Sequence, residues 1–247
     1  MAMTDGSSFW SLSFHAQQIA QMWQYEFMRA ALVGAAMLGA LGGYLAVYVV
    51  LRRVVFLSVA LSECSAVGLA LALMGGVAMS AVLPYSVAGA LAGVLLLSVL
   101  GRGRRLPAES VVGAVYAGAA AVSILVLALA HLHESHEVRA LLWGDVLTLS
   151  WRQVRVALVV FAAIALAELA LYKEFLFCSF DPEMARTVGL PVTVLDILFF
   201  TLLGITIPIA VSIAGLLVAF AYLVLPGVVG LLLARRMGTA FLIAAAS

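Results

Sequence analysis

Glu63 is the first residue in this chain placed to do chemistry, because it is a carboxyl group deep in an apolar run, in "LSECSAVG", flanked by Ser62, Cys64 and Ser65. An ionisable group in such a setting is costly and marks an ion or substrate path when it faces water. Two readings stay open: coordination or relay of a cation, or a helix–helix hydrogen bond to a neighbouring backbone or serine. Glu168, in "LAELAL", is similar but isolated, and the hydrogen-bond reading suits it better. Asp196 lies about one turn inside a later apolar run, within reach of its end, and reads as no ligand.

A second cluster is "HLHESHEVR", where His131, His133 and His136 alternate with Glu134 and Glu137. Neutral imidazoles and carboxylates are the natural ligands of zinc and similar first-row metals, so this segment can capture a metal loosely. A solvated polar loop is the plainer reading, since one loop rarely supplies a closed site.

The third feature, "SFDPEMARTVGLP", is built as a short polar helix. Asp181 suits the N-cap, Pro182 the first helical position, and Glu183 the first turn, where free N–H groups and the dipole favour an anion. Gly189 suits the left-handed residue after the last turn, and Pro191 prevents continuation. A helix of this length is unstable alone, so something must hold it. The fourth feature is Pro226 in "YLVLPGVVG", which frees a carbonyl and kinks a helix. Gly227 beside it allows close packing or bending, as a packed crossing or a gate.

Other chemistries lack their residues. The phosphate-cradling pattern needs a lysine after glycine, and the one lysine, Lys173, sits in "LYKEF". No Gly-x-Ser-x-Gly elbow or His-Glu-x-x-His helix occurs, so hydrolase chemistry has no support, and the chain reads as a non-enzyme. The two cysteines, Cys64 and Cys178, lie in or beside apolar segments without metal-ligand spacing. A net charge of +1 offers no basic surface for nucleic acid.

The elements that position these residues must be membrane helices. Only 10% of the residues are charged, 66% are hydrophobic and the mean hydropathy is +1.20. About 20 apolar residues cross the hydrocarbon core as a helix. The candidates are Phe27 to Leu51, Val54 to Met74, Met79 to Leu100, Ala108 to Ala130, Val154 to Tyr172, Val192 to Pro208 and Val211 to Ala234, with a partial eighth from Thr239. The runs are apolar all round, without the period of two that barrel strands show. The expected fold is all-α: a polytopic helical bundle of seven to eight spans plus the short helix at Asp181 to Gly189. Residues 1–26 read as an extracytoplasmic or interfacial segment without a signal peptide, and residues 27–247 as one membrane domain.

Orientation follows from charge. Arg52 and Arg53; Arg102, Arg104 and Arg105; Lys173 and Arg186; and Arg235 and Arg236 fall in four short loops on one side if every span crosses once. The positive-inside rule makes that side cytoplasmic. The stretch around Asp181 is therefore inside, and the histidine loop and N-terminus are outside.

In this order the residues resemble the permease subunits of bacterial ABC importers for zinc, manganese or iron. The likeness runs from about Tyr25 to Gly238: "YEFMRAAL", "GGYLAVYVVLRR" before a polar second span, "ESVVGAVYAG", "LLWGDVLTLS", "SFDPEMARTVGLP" and "IAGLLVAFAYLVLPGVV". The resemblance implies a multi-pass protein of the bacterial inner membrane, bound by lipid, that carries a divalent metal and holds no resident cofactor. It also implies a second permease protomer, identical or not, an extracytoplasmic metal-binding protein, and a cytoplasmic ABC ATPase that binds the ATP. Asp181, Glu183, Ala185 and Gly189 then belong to the coupling helix that docks on that ATPase, with Met184, Ala185 and Val188 as its contact face. Pro226 and Gly227 belong to a span that moves.

The family usually has eight spans, and this chain ends within the last. It also usually carries an aspartate and, four residues later, a histidine in the second span; the matching positions here are Val59 and Glu63. A carboxylate shifts preference toward harder cations such as manganese. Three alternatives stand beside this reading: an importer of a metal chelate or vitamin, a secondary transporter or channel using Glu63 and Glu168 as a relay, and a purely structural membrane subunit.

Overall fold

The computed structural model describes residues 26–78, 81–100, 108–129 and 150–247, and among them it is helical, without strands. The helices are α1 (Glu26–Leu51), α2 (Val55–Met74), α3 (Leu83–Leu100), α4 (Ala108–Leu129), α5 (Trp151–Ala170), α6 (Tyr172–Phe180), α7 (Pro182–Thr187), α8 (Val192–Ala214), α9 (Leu216–Leu233) and α10 (Met237–Ala246). Seven of them, α1 to α5, α8 and α9, are long and apolar enough to cross a bilayer. The N-terminal segment before Glu26 and the histidine loop lie outside the described residues.

The expected spans appear, the third starting at Leu83 rather than Met79, with three further differences. The sixth does not stop at Pro208: α8 continues through it to Ala214, and the break falls at Gly215, whose φ of 84° is open to glycine. The fifth begins earlier, at Trp151, because Ser150 and Gln153 form a reciprocal capping box. The cytoplasmic stretch from Lys173 is not loop but α6, joined to α5 through Leu171 alone. The apolar tail forms α10, ten residues long.

One half of the bundle is built on α1, which packs against α9, α10 and α5. The other is built on α2, which packs against α3 and α4, and α8 lies across α3 and joins the halves. Leu95 and Val99 on α3, Ile124 and Leu125 on α4, and Val159 and Leu166 on α5 point away from the bundle, as a lipid-facing surface requires.

Lipid tails offer helices no hydrophobic reason to associate, so close backbone packing at small residues has to supply it. Helices α2 and α3 cross at Gly68 and Gly89: a Cβ on Gly68 would lie 2.2 Å from the Tyr85 carbonyl oxygen. The Ser65 and Ser86 hydroxyls share a 2.7 Å hydrogen bond beside this crossing. Gly227 makes the equivalent crossing of α9 on α1, where a Cβ would meet the Ala46 carbonyl at 2.4 Å. Gly68→Val should therefore force α2 and α3 apart at a cost of about 1–3 kcal/mol. The check is the thermal midpoint in detergent, which should fall while Gly118→Val, with open space around it, leaves it in place.

At the cytoplasmic end of α1 the chain reverses through Arg53, which takes φ 56°. The Val54 amide reaches back to the Val49 carbonyl and the Arg53 amide to Val50, closing α1 with the bond pattern that usually uses glycine. That turn fixes where the neighbouring Arg52 side chain starts.

Candidate functional site

Local sequence dictates α7. The Asp181 carboxylate accepts from the Met184 amide at 2.9 Å, and Pro182 occupies the first turn, where a missing N–H costs nothing. At the other end the Leu190 amide donates to the Ala185 carbonyl and the Gly189 amide to Arg186, a Schellman closure. Gly189 at φ 91° makes it possible. Glu183 and Arg186 sit at the helix ends their charges suit.

The contact face expected of α7 needs one correction. Ala185 is fully buried, turned onto the bundle, because the Schellman closure folds Leu190 back beneath it. The apolar side chains that point outward are Met184 and Val188, 53% and 64% exposed. A shallow groove lined by Arg186, Gly189, Leu190, Pro191 and Thr193 lies beside them, where α7 meets α8.

Tertiary contacts hold this unit in place. Arg52, only 8% exposed in its side chain, donates from Nη1 to Asp196 Oδ1 at 2.6 Å and from Nε to Ser179 Oγ at 2.9 Å. Its guanidinium also stacks over the Phe199 ring, 4.3 Å from the centroid. One side chain at the end of α1 thus ties α6 and the first turns of α8 together, through bonds of the charge-assisted kind. The Ser179 hydroxyl in turn donates to the Phe175 carbonyl at 2.6 Å, which fixes its lone pairs toward Arg52.

Above this knot, Tyr44, Tyr48, Tyr172, Phe175, Phe199 and Phe241 form a contiguous aromatic cluster with centroids 4.8 to 6.2 Å apart. Edge-on pairs of this kind are worth about 0.5–1.5 kcal/mol each beyond their burial. The cluster joins α1, α6, α8 and α10. Outside the spans, burial pushes the Cys178 thiol of α6 up, as suits a packing residue rather than a nucleophile.

The other expected residues are not brought together. Glu63 is half-buried in the middle of α2, and its flanking serines face elsewhere: Ser62 donates to the Ser58 carbonyl and Ser65 pairs with Ser86. Cys64 packs on Gly93 of α3. Among the described residues no hydrogen bond to Glu63 is present and no three metal-ligating side chains converge. His131, His133 and His136 lie outside those residues. Pro226 is buried within a continuous α9, and Gly227 is the packed crossing described above.

Glu168 differs from expectation, and Asp196 gains a partner that its place one turn inside its span left open. Asp196 is an ion-pair partner, and its position on the same cytoplasmic side as Arg52 was the available signal. Glu168 is completely buried, yet neither carboxyl oxygen has a hydrogen-bond partner, so it forms none of the helix–helix bonds expected of it.

Comparison with known proteins adds a family. The model of the ABC 3 transport family matches residues 24–247. The manganese transport system membrane protein MntC of Listeria monocytogenes is 27% identical over 225 residues, 90% of this chain and 77% of that protein. The chelated iron transport system membrane protein YfeD of Yersinia pestis is 26% identical over 229 residues, 92% and 74% of the two chains. Among solved structures, PsaBC from Streptococcus pneumoniae in complex with Fab shares the fold with a TM-score of 0.81 at 21% identity, over 94% of this chain and 82% of that one.

Proposed function

Since the chain belongs to the ABC 3 transport family, as a multi-pass membrane subunit of a transporter, we propose that it imports a divalent transition metal, manganese or iron, using ATP hydrolysed on a separate chain. The observation that carries the coupling half of this reading is α7. It is a helix of six residues, closed at both ends, clamped to the bundle by Arg52 through α6, and presenting Met184 and Val188 on the cytoplasmic side. Two large apolar side chains exposed four residues apart, outside the spans, support a surface that another protein covers.

The cargo half rests on the relatives named for manganese and chelated iron and on Glu63, whose carboxylate suits hard cations. The partners it needs are a cytoplasmic ABC ATPase, an extracytoplasmic metal-binding protein and a second permease protomer, which supplies the other wall of a central path. In operation, closure of the ATPase pushes on α7; Arg52 and the aromatic cluster pass the displacement to α1 and α8; and the spans carrying Glu63 and Pro226 change which side the path faces.

Proteoliposomes containing this chain, its ATPase and its binding protein should accumulate radioactive manganese or iron only with ATP inside the ATPase compartment, with zinc as the comparison. Glu63→Ala should lower metal uptake at least tenfold. Uptake without ATP would make the chain a secondary transporter. ATP-driven uptake of a chelate, unaffected by Glu63→Ala, would replace the free cation with a larger ligand.

A further inference from the structure

Two arginines fall on the side of the membrane that the other basic residues avoid. Arg152 and Arg155 open α5 at its outer end, opposite the four basic loops that set the orientation. Both are exposed, and among the described residues no carboxylate pairs with either. The first turn of α5 contains no acid, and its cap is closed by Ser150 and Gln153. Cations at this end of a helix oppose the dipole, so α5 itself gives no reason for them to be there.

Their depth narrows what the counterion can be. Helix α5 is a span of 20 residues, with Lys173 just past its inner end. At about 1.5 Å per residue, Arg152 stands about 27 Å and Arg155 about 22 Å above Ala170, within a hydrocarbon core about 30 Å thick. Helical side chains lean toward the N-terminus, here outward, so the long Arg155 chain snorkels up toward the level of Arg152. Both guanidinium groups therefore meet the headgroup layer on one face of the helix. The same face continues inward at helical spacing as Val156, Val159 and Leu166, which are 43%, 69% and 71% exposed. Trp151, 40% exposed, stands at its top, where amphipathic rings settle among headgroups. A cationic pair above a continuous apolar stripe complements a molecule with an anionic head and an apolar tail. A soluble protein would match the charges and not the stripe.

We propose that Arg152 and Arg155 form a binding site for an anionic phospholipid of the outer leaflet, with its phosphate between the two guanidinium groups and an acyl chain along Val156, Val159 and Leu166. The planar forks of two arginines suit phosphate oxygens. The bound phosphate supplies the negative charge that the first turn of α5 lacks, and so fixes the depth of α5 in the bilayer. The site depends on the orientation of the spans and stands whether or not the transport reading does.

The test is tryptophan fluorescence of the full chain carrying Trp10→Phe, Trp23→Phe and Trp143→Phe, so that Trp151 alone reports. The protein is reconstituted in vesicles of equal parts phosphatidylglycerol and phosphatidylcholine, with brominated acyl chains on one lipid or the other. Quenching should show phosphatidylglycerol enriched beside Trp151 by about fivefold, the attraction of a basic residue for anionic lipid. Arg152→Gln with Arg155→Gln should bring the two lipids to parity. Arg152→Lys with Arg155→Lys should keep part of the preference, as charges without the planar fork, and high salt should weaken it in the arginine protein. Equal quenching by the two lipids in the arginine protein, or a preference retained in the double glutamine variant, overturns the site. Equal quenching joined to loss of binding-protein affinity in the glutamine variant also overturns it, and assigns the arginines to a soluble partner.

Discussion

Replacing Met184 with aspartate and Val188 with lysine should abolish ATP-driven metal uptake while the chain remains inserted and folded. Both side chains are more than half exposed, so their loss costs the fold at most about 0.5 kcal/mol each. Each new charge also suits its end of α7, an anion near the start and a cation near the finish. An ATPase surface shaped for two apolar side chains would instead have to desolvate two charges. At about 2 kcal/mol for each anchor lost, affinity falls roughly a thousandfold. Co-purification with the ATPase measures the affinity, and the thermal midpoint of the permease alone measures the fold. Retained ATPase binding with both residues replaced would move the docking surface away from α7. Ala185→Leu makes the contrast: it acts from the buried side, by lifting α7 off the bundle, and should lower the thermal midpoint as well as uptake.

Arg52→Ala should have the next largest effect, this time on the chain itself. It removes the bond to Ser179, the pair with Asp196 and the cation over Phe199 at once. Breaking a wholly buried pair costs about 3–5 kcal/mol, and the partial exposure of Asp196 reduces that to about 2–3 kcal/mol. The loss should be uneven. Hydrogen exchange ought to rise in α6 and α7 and at the start of α8, while α2, α3 and α4, which hold none of the hydrogen-bond, ion-pair or ring partners of Arg52, keep their protection. Lysine at position 52 should recover little, because it cannot bond Asp196 and Ser179 together from one planar group. Uniform loss of protection across both halves of the bundle would mean that Arg52 stabilises the fold generally and has no special hold on α6.

Much of this was legible in residue order because the causes were local. The spans follow from the length of the apolar runs, since no other segment can satisfy its backbone within lipid. Helix α7 follows from Asp181, Pro182 and Gly189, whose preferences act within a turn of themselves. Where the cause was not local the boundary was not legible: Pro208 does not end α8, because a proline within a packed membrane helix is tolerated where its neighbours enclose it. Helix α6 was hidden for the same reason. It is nine residues long, mixes Lys173 and Glu174 with aromatic residues, and forms because Phe175 and Cys178 find a surface to bury against.

By itself, then, the sequence determined a helical membrane protein with its arginine loops and its capped helix on one face, because apolar length, loop charge and capping are properties of neighbouring residues. Only the tertiary structure decided that Arg52 reaches Ser179 and Asp196, 127 and 144 positions away, that Ala185 faces inward, and that Glu168 is buried without a partner. A charged residue at a helix end looks the same in sequence whether it faces water or closes a clamp. What separates the two is the set of side chains that packing brings around it, and packing is a property of the whole bundle.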